Sequence, residues 1–276
     1  MSAVLPEPRP AERSRLAPYL RDNRAAERAA ALRAGVILAV VALSFWLTGL
    51  FDWRRLAEGV PAMAQILGEM MPPDFTRWQA WLRPLIDTLA MSVAGTAFAI
   101  LFALPLAFLA AGNTTPNRVV FHAARLILNF FRAIPELIKG IILVAAVGFG
   151  VLPGVLALGL HSIGMVGKFF AESIEHVDPK PVEAARAAGA TRVQVIWHAI
   201  LPQVLPQMSD TTIYRWEYNF RASMVLGAVG AGGIGTELIG SLRIMDYQQV
   251  SAILICILAC VTLVDAIGIW LRRRLA

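Results

Sequence analysis

Charge is scarce in this chain. Of its 276 residues, 16% are Asp, Glu, Lys or Arg and 57% are hydrophobic, whereas a soluble domain carries roughly 25% charged residues. That balance excludes an ordinary water-soluble globule and predicts an all-α polytopic membrane protein. Cysteine is scarcer still. Cys256 and Cys260 lie four apart in an apolar run, share one helix face and cannot hold a metal alone; they read as small buried hydrophobes. His122, His161, His176 and His198 are scattered, so no metal site is expected. Nucleotide and hydrolase signatures are missing too. Gly164-Met-Val-Gly167-Lys168-Phe169 lacks the spacing and the Ser/Thr of a phosphate-binding loop, and there is no H-E-x-x-H or G-x-S-x-G. ATP hydrolysis by this chain, and a membrane enzyme in general, are therefore not expected. No internal repeat is evident, which argues against an ATP-independent secondary transporter. The net charge of +6 comes without a basic patch interleaved with aromatics, so no nucleic-acid partner is expected. The first 34 residues are too long and too charged for a cleavable signal.

The apolar runs and the arginines between them give an ordered reading. Residues 1–34 form a cytoplasmic tail with an amphipathic piece near Tyr19–Leu32. Arg21, Arg24, Arg28 and Arg33 before the first apolar run place that end inside. Residues 35–84 form an extra transmembrane helix over 35–51 and an external segment, in which Met63, Ile66, Leu67 and Met70 repeat at helical spacing. Trp53, Trp78 and Trp81 suit a membrane interface. Residues 85–276 carry the remaining helices. Helix two covers 85–111, with a kink expected at Pro105, and an interfacial helix covers 118–131. Helix three covers 133–148, with Glu136 and Lys139 near its inner end, and helix four covers 155–173. A polar island spans 174–206, helix five 207–229, an outer segment 230–248 and helix six 250–270, ending in Arg272-Arg273-Arg274. Six spans with both termini cytoplasmic agree with every charge cluster, and the membrane lipids are partners throughout.

Helix five contains Tyr214-Arg-Trp-Glu-Tyr-Asn-Phe-Arg221. An ionised group at the bilayer centre costs roughly 2.5–3.5 kcal/mol on insertion scales. Arg215, Glu217, Asn219 and Arg221 should therefore face protein or a water-filled path. Tyr214, Glu217 and Arg221 share a face. Two readings stand side by side: a polar lining for an anionic solute, with Arg221 offering forked donors to an oxyanion, or a structural Glu217–Arg221 ion pair. Glu136 and Lys139 are either partners of these groups or snorkelling interfacial residues. The following run, Gly230-Ala-Gly232-Gly233-Ile-Gly235, matches a dinucleotide fingerprint in letters alone, because a membrane helix precedes it where a strand is needed. It reads as a turn or a bend near an outer gate.

The island carries the most regular pattern. Asp178 is a candidate cap, Pro179 and Pro181 suit a first turn, and Ala184, Ala185, Ala187 and Ala188 favour helix. Gly189 is a natural stop. A two-turn helix over about 181–188, with almost no side-chain bulk, is suited to a partner's groove; it also reads as a plain connecting helix. Its spacing is Glu183-Ala184-Ala185, three residues, Gly189, nine residues, then Ala199-Ile200-Leu201-Pro202.

That pattern resembles the cytoplasmic coupling motif of bacterial binding-protein-dependent ABC importers, where Ile usually stands at the position of Ala199. Together with Phe131-Arg-Ala-Ile-Pro-Glu136, Leu201-Pro-Gln-Val-Leu-Pro206, the helix-five string, the glycine run and Pro72-Pro-Asp-Phe75, it resembles the phosphonate ABC transporter permease. The resemblance implies a type I ABC importer permease (MetI-like) core of the bacterial inner membrane with one extra N-terminal helix. It implies a homodimer with a second copy of the chain, a cytoplasmic ABC ATPase dimer that binds ATP and Mg, and an external phosphonate-binding protein, with no cofactor on this chain. Glu183, Ala184, Ala185, Arg186 and Gly189 would couple to the ATPase. Arg215, Glu217, Asn219, Arg221, Tyr214 and Glu136 would line the path or gate, and Gly230, Gly232, Gly233 and Gly235 would form the outer turn. Phosphite, phosphate or a related ester is the alternative solute, and a sibling permease for amino acids the nearest rival.

Overall fold

The computed structural model describes residues 10–275, with side chains from Ala26 onward, and among these residues all regular structure is helical. Contacts divide the chain into two units, Met1–Gln65 and Ile66–Ala276.

In the first unit, α1 is a single helix, Pro10–Leu47, of 38 residues. The expected tail and first span are thus continuous over the described part, and residues 1–9 of that tail lie outside it. The alanines at 25, 26 and 29–31 favour helix strongly enough to carry it through the arginines. Its last 22 residues, Ala26–Leu47, are long and apolar enough to cross a membrane. The helix stops before the expected Phe51, because Gly49 takes φ +74°, a backbone region that glycine enters freely. Helix α2, Trp53–Glu69, begins in this unit, runs through Pro61 and ends in the second. Met63, Ile66 and Leu67 lie on it as their spacing predicts, and Met70 falls one residue past its end.

The second unit contains α3 (Trp78–Ala110), α4 (Arg118–Ala133), α5 (Glu136–Val147), α6 (Val151–Glu175), α7 (Pro179–Ala187), α8 (Arg192–Val195), α9 (Leu201–Gly227), α10 (Ile234–Arg243) and α11 (Tyr247–Leu275). Helices α3, α6 and α11 are long and apolar enough to span, like the end of α1. Helix α9, with 27 residues, is long enough at ~40 Å, but its polar groups lower its hydropathy. Helix α5 has 12 residues and reaches ~18 Å against a hydrocarbon core of ~30 Å. It is shorter than the expected 133–148 because Pro135 supplies no amide hydrogen and forces Ile134 into extended backbone (ψ 125°), while Gly148 ends it at φ +91°. Among the described residues, four helices are long and apolar enough to cross a membrane, and the six expected spans are compatible with the architecture.

Helices α3 and α6 make the most extensive contact, and α9 packs against both. Small residues form the seam: Gly95, Ala99, Ala103, Ala107 and Ala110 on α3 are buried, as are Gly154, Ala157, Gly159 and Ser162 on α6. Lipid tails are as apolar as Leu, so helices in a bilayer associate through close van der Waals packing, which small side chains permit. Helix α4 uses the same device, with its backbone against Gly164. A Cβ there would stand 2.5 Å from the Leu128 carbonyl oxygen and 2.8 Å from the Arg132 amide nitrogen. Gly164→Ala is expected to lower the melting temperature of the detergent-solubilised protein by several degrees, the effect of about 1–3 kcal/mol of overpacking; an unchanged melting temperature would contradict this packing.

Trp81, expected at a membrane interface, is instead 1% exposed and packs with Ile234, Ala252 and Ile253. Helix α3 begins at Trp78, seven residues before the expected start, and passes through Pro84 and Pro105 without a break. The loop before it is tied to α11: Ser251 Oγ donates to the Met70 carbonyl at 2.7 Å, and the Asp74 amide to the Gln248 carbonyl at 3.0 Å. The Thr76 amide and then its hydroxyl hold the Asp74 carboxyl below its ordinary pKa. That contribution is complete at neutral pH and is lost only as pH falls below about 4.

Candidate translocation and coupling sites

The stability of α7 is local in origin. The Asp178 carboxylate accepts from the Lys180 amide at 2.9 Å, and Pro179 opens the first turn. At the other end Ala190 N donates to Ala185 O at 3.1 Å and Gly189 N to Arg186 O at 2.9 Å. This closure needs the φ of +82° that Gly189 adopts. The expected helix at 181–188 is therefore two residues longer at its start and one shorter at its end. Val182 is buried and Ala185 half-buried, while Glu183, Ala184, Arg186, Ala187 and Ala188 are exposed. One face is anchored, and the opposite face is small, polar and free.

The chain then returns to the bundle. Thr191 and Gln194 cap α8 reciprocally, and Ile196–Ile200 forms one π turn, closed from Leu201 N to Ile196 O. Pro202 has no amide hydrogen to give His198, so the regular ladder slips at this point. Ala199 is buried inside the turn. Gln203 joins the two parts: its Oε1 accepts from the Asp178 amide at 2.9 Å, and its Nε2 donates to the Ala199 carbonyl at 2.6 Å. Gln203 thus links the start of α7 to the start of α9.

In mid-bundle α3, α5, α6 and α9 bring a chain of polar side chains together. Asn219 Nδ2 donates to Thr96 Oγ1 at 2.9 Å, and Ser162 Oγ donates to Asn219 Oδ1 at 3.1 Å. Arg215 Nε donates to Ser162 Oγ at 2.8 Å. Tyr218 Oη donates to Glu136 Oε1 at 3.0 Å, with the Arg215 guanidinium 4.2 Å from the Tyr218 ring centre. Arg215 is 3% exposed and Asn219 wholly buried. Arg215 Nη2 faces Glu136 Oε2 at 3.9 Å, too far for a hydrogen bond, and each of these buried atoms lacks a hydrogen-bond partner. Lys139 is buried on α5 and does not snorkel. Its Nζ donates to the Phe131 and Ile134 carbonyls at the end of α4 and lies 3.5 Å from His161 Nδ1. It thereby satisfies the carbonyls that the break before Pro135 leaves free.

The expected Glu217–Arg221 pair does not form. Glu217 Oε2 accepts from Arg272 Nη2 at 2.6 Å, and Arg272 Nε lies 3.0 Å from Asp210 Oδ1. Arg221 Nη1 pairs with Asp265 Oδ1 at 2.9 Å. Both partners of α9 are on α11, and Gly268 leaves the room beside Glu217 that a Cβ would fill. Of the predicted path residues, Glu136, Arg215 and Asn219 come together; Tyr214 and Arg221 are exposed, and Glu217 sits at the α9–α11 seam. Thr96, Ser162 and Tyr218 were missed. Tyr218 lay within the helix-five string, while single hydroxyls on α3 and α6 carry no local signal.

The glycine run turns the chain between α9 and α10. Gly230, Gly232 and Gly233 have φ of +89°, +79° and +76°. Gly230 O accepts from Gly150 N at 3.1 Å and Thr88 Oγ1 from Ile234 N at 2.8 Å. Gly235 lies on α10, where a Cβ on Gly227 would come within 2.6 Å of its Cα. Cys256 and Cys260 are free and half-buried in α11. No group of three His, Cys, Asp or Glu among the described residues could hold a metal.

The second unit thus holds a buried polar chain at mid-bundle and a small exposed helix, α7. Residues 103–276 match the family model described as "binding-protein-dependent transport system inner membrane component". The chain is 65% identical over 239 residues to a phosphite transport system permease protein of Stutzerimonas stutzeri, covering 87% of each chain. It is 42% identical over 220 residues to a phosphate-import permease protein of Mycolicibacterium smegmatis, covering 80% of this chain and 41% of that one. Among solved structures, the inward-facing MetNI methionine ABC transporter matches with a TM-score of 0.63 at 23% identity, covering 73% of this chain and 99% of that one. The chain belongs to the family of binding-protein-dependent transport system inner membrane components. It is a membrane-embedded permease subunit of a binding-protein-dependent transport system, not an enzyme.

Proposed function

We propose that this permease carries a small phosphorus oxyanion, phosphite or a simple alkylphosphonate, through a path lined by Arg215, Asn219 and Glu136. Import would be driven by a separate ATPase dimer that binds the ATP and Mg. The observation that carries this reading is the guanidinium of Arg215, buried in mid-bundle with Nη2 unpartnered. Glu136 stands 3.9 Å from Nη2 as its charge partner without accepting a hydrogen bond; a buried donor left unsatisfied is costly, and a transiting oxyanion would supply the missing acceptor. The relatives named for phosphite and phosphate transport favour the same class of solute. The phosphonate reading of the sequence is accordingly widened, with phosphite placed first.

Helix α7 is the coupling helix. Its exposed Glu183, Ala184 and Arg186 would sit in the ATPase groove, and Gln203 would pass the movement to α9. A second copy of the chain would complete the permease, and an external binding protein would deliver the solute. The α7 end and both termini would face the cytoplasm. The test is uptake of phosphite and of a simple alkylphosphonate into proteoliposomes holding permease, ATPase and loaded binding protein, with the subunit mass of the complex measured alongside. Uptake of both by a complex with two copies of this chain would support the reading. Uptake of neither, with another binding protein's cargo carried instead, would discard the solute class and leave the importer.

A further inference from the structure

We propose that the gap between Arg215 and Glu136 reads the protonation state of the solute, taking the singly protonated monoanion of a phosphorus oxyacid in preference to the dianion. The inference rests on the path reading above. Arg215 Nη2 and Glu136 Oε2 face each other across 3.9 Å, both buried and both without a hydrogen-bond partner. A guanidinium can only donate, and an ionised carboxylate can only accept. A ligand that satisfies both must therefore offer an acceptor and a donor side by side. A P–O⁻ and a P–OH on one phosphorus atom do so: the anionic oxygen accepts from Nη2 while the hydroxyl donates to Oε2. A dianion has no donor and would set a second negative oxygen against Glu136.

The surrounding charge points the same way. Lys139 of α5, Arg215 of α9 and Glu136 of α5 meet here, with His161 of α6, Tyr214 and Tyr218 of α9 beside them. Lys139 and Arg215 with Glu136 carry formal charges of two plus and one minus, which a monoanion balances. The first-turn amides of α5, whose dipole favours an anion, lie next to Glu136. Their geometry is set by Lys139 at the break before Pro135. Arg215 Nε is engaged by Ser162 and Glu136 Oε1 by Tyr218, which leaves the two facing atoms to a ligand. The two facing atoms are enclosed, so entry of a solute requires α5 to move from α9. Between the Pro135 break and Gly148, α5 rests on α9 through Gly140, where a Cβ would meet Leu226 Cδ2 at 2.6 Å.

The experiment measures initial uptake by the reconstituted permease–ATPase complex between pH 6 and 8, with binding protein loaded equally for every sample. Phosphate esters lose their last proton near pH 6, so the monoanion fraction of such solutes falls steeply over this range. Glu136→Gln replaces the acceptor-only oxygen with an amide that can donate, and the dianion is then tolerated. The ratio of Glu136→Gln to unmodified uptake of phosphite is expected to rise on the order of tenfold from pH 6 to 8. Glu136→Asp keeps a carboxylate and is expected to keep the unmodified profile at a lower rate. A second measurement needs no substitution: in the unmodified complex the falling limb should shift between phosphite and methylphosphonate, following each solute's own last ionisation. A constant ratio with reduced uptake, or a limb at the same pH for both solutes, overturns the protonation reading and leaves the path reading standing. Uptake by Glu136→Gln equal to the unmodified protein at every pH overturns both.

Discussion

Arg215→Gln is expected to lower oxyanion uptake roughly a hundredfold or more, while the protein still inserts and binds its ATPase. The magnitude follows from what the guanidinium does. It donates to Ser162, which links onward to Asn219 and Thr96, and it stands over the Tyr218 ring beside Glu136. Removing one member of a buried charged pair costs about 3–5 kcal/mol, because the other is left uncompensated. A transport role and a structural role predict different divisions of that cost. If Arg215 meets the solute, uptake falls far more than the melting temperature or the yield of complex. Arg215→Lys, which keeps the charge and loses the planar fork, should recover part of the uptake. Proportional loss of uptake and assembly in both variants would reduce the group to a structural tie between α6 and α9.

Glu183→Lys is expected to uncouple the permease: uptake falls to background and ATPase activity no longer responds to the loaded binding protein. Glu183 is exposed on α7, so folding should tolerate the change; surface substitutions usually stay within ±0.5 kcal/mol. The reversed charge would instead sit at the contact surface, where like charges facing each other cost several kcal/mol. Ala184→Trp should act alike through bulk, since that face of α7 is otherwise small. Coupled transport that survives both changes would return α7 to a plain connecting helix.

What could be read from the sequence follows the range of the interactions involved. The cap at Asp178, the start at Pro179 and the stop at Gly189 are local events, and α7 was legible to within two residues. The turn at Gly230–Gly233 was legible for the same reason, since its positive φ values need glycine. Helix α5 is shorter than its apolar run because that run begins before Pro135, and the proline, not the hydropathy, sets where the helix starts. The pairings of α9 lie beyond the reach of local spacing. Spacing along one helix offered Glu217 to Arg221, but the structure gives Glu217 to Arg272 and Arg221 to Asp265, across 55 and 44 residues. Partners on another helix leave no mark in local spacing. Ser162 and Thr96 show the same limit: isolated hydroxyls in apolar runs, they acquire meaning only when α3, α6 and α9 meet.

The measurement that tests the account most directly is the ATPase activity of the reconstituted permease–ATPase complex, with and without binding protein loaded with phosphite or a simple alkylphosphonate. The account predicts stimulation by the loaded protein, abolished by Glu183→Lys and strongly reduced by Arg215→Gln. Stimulation that is indifferent to both substitutions would contradict it.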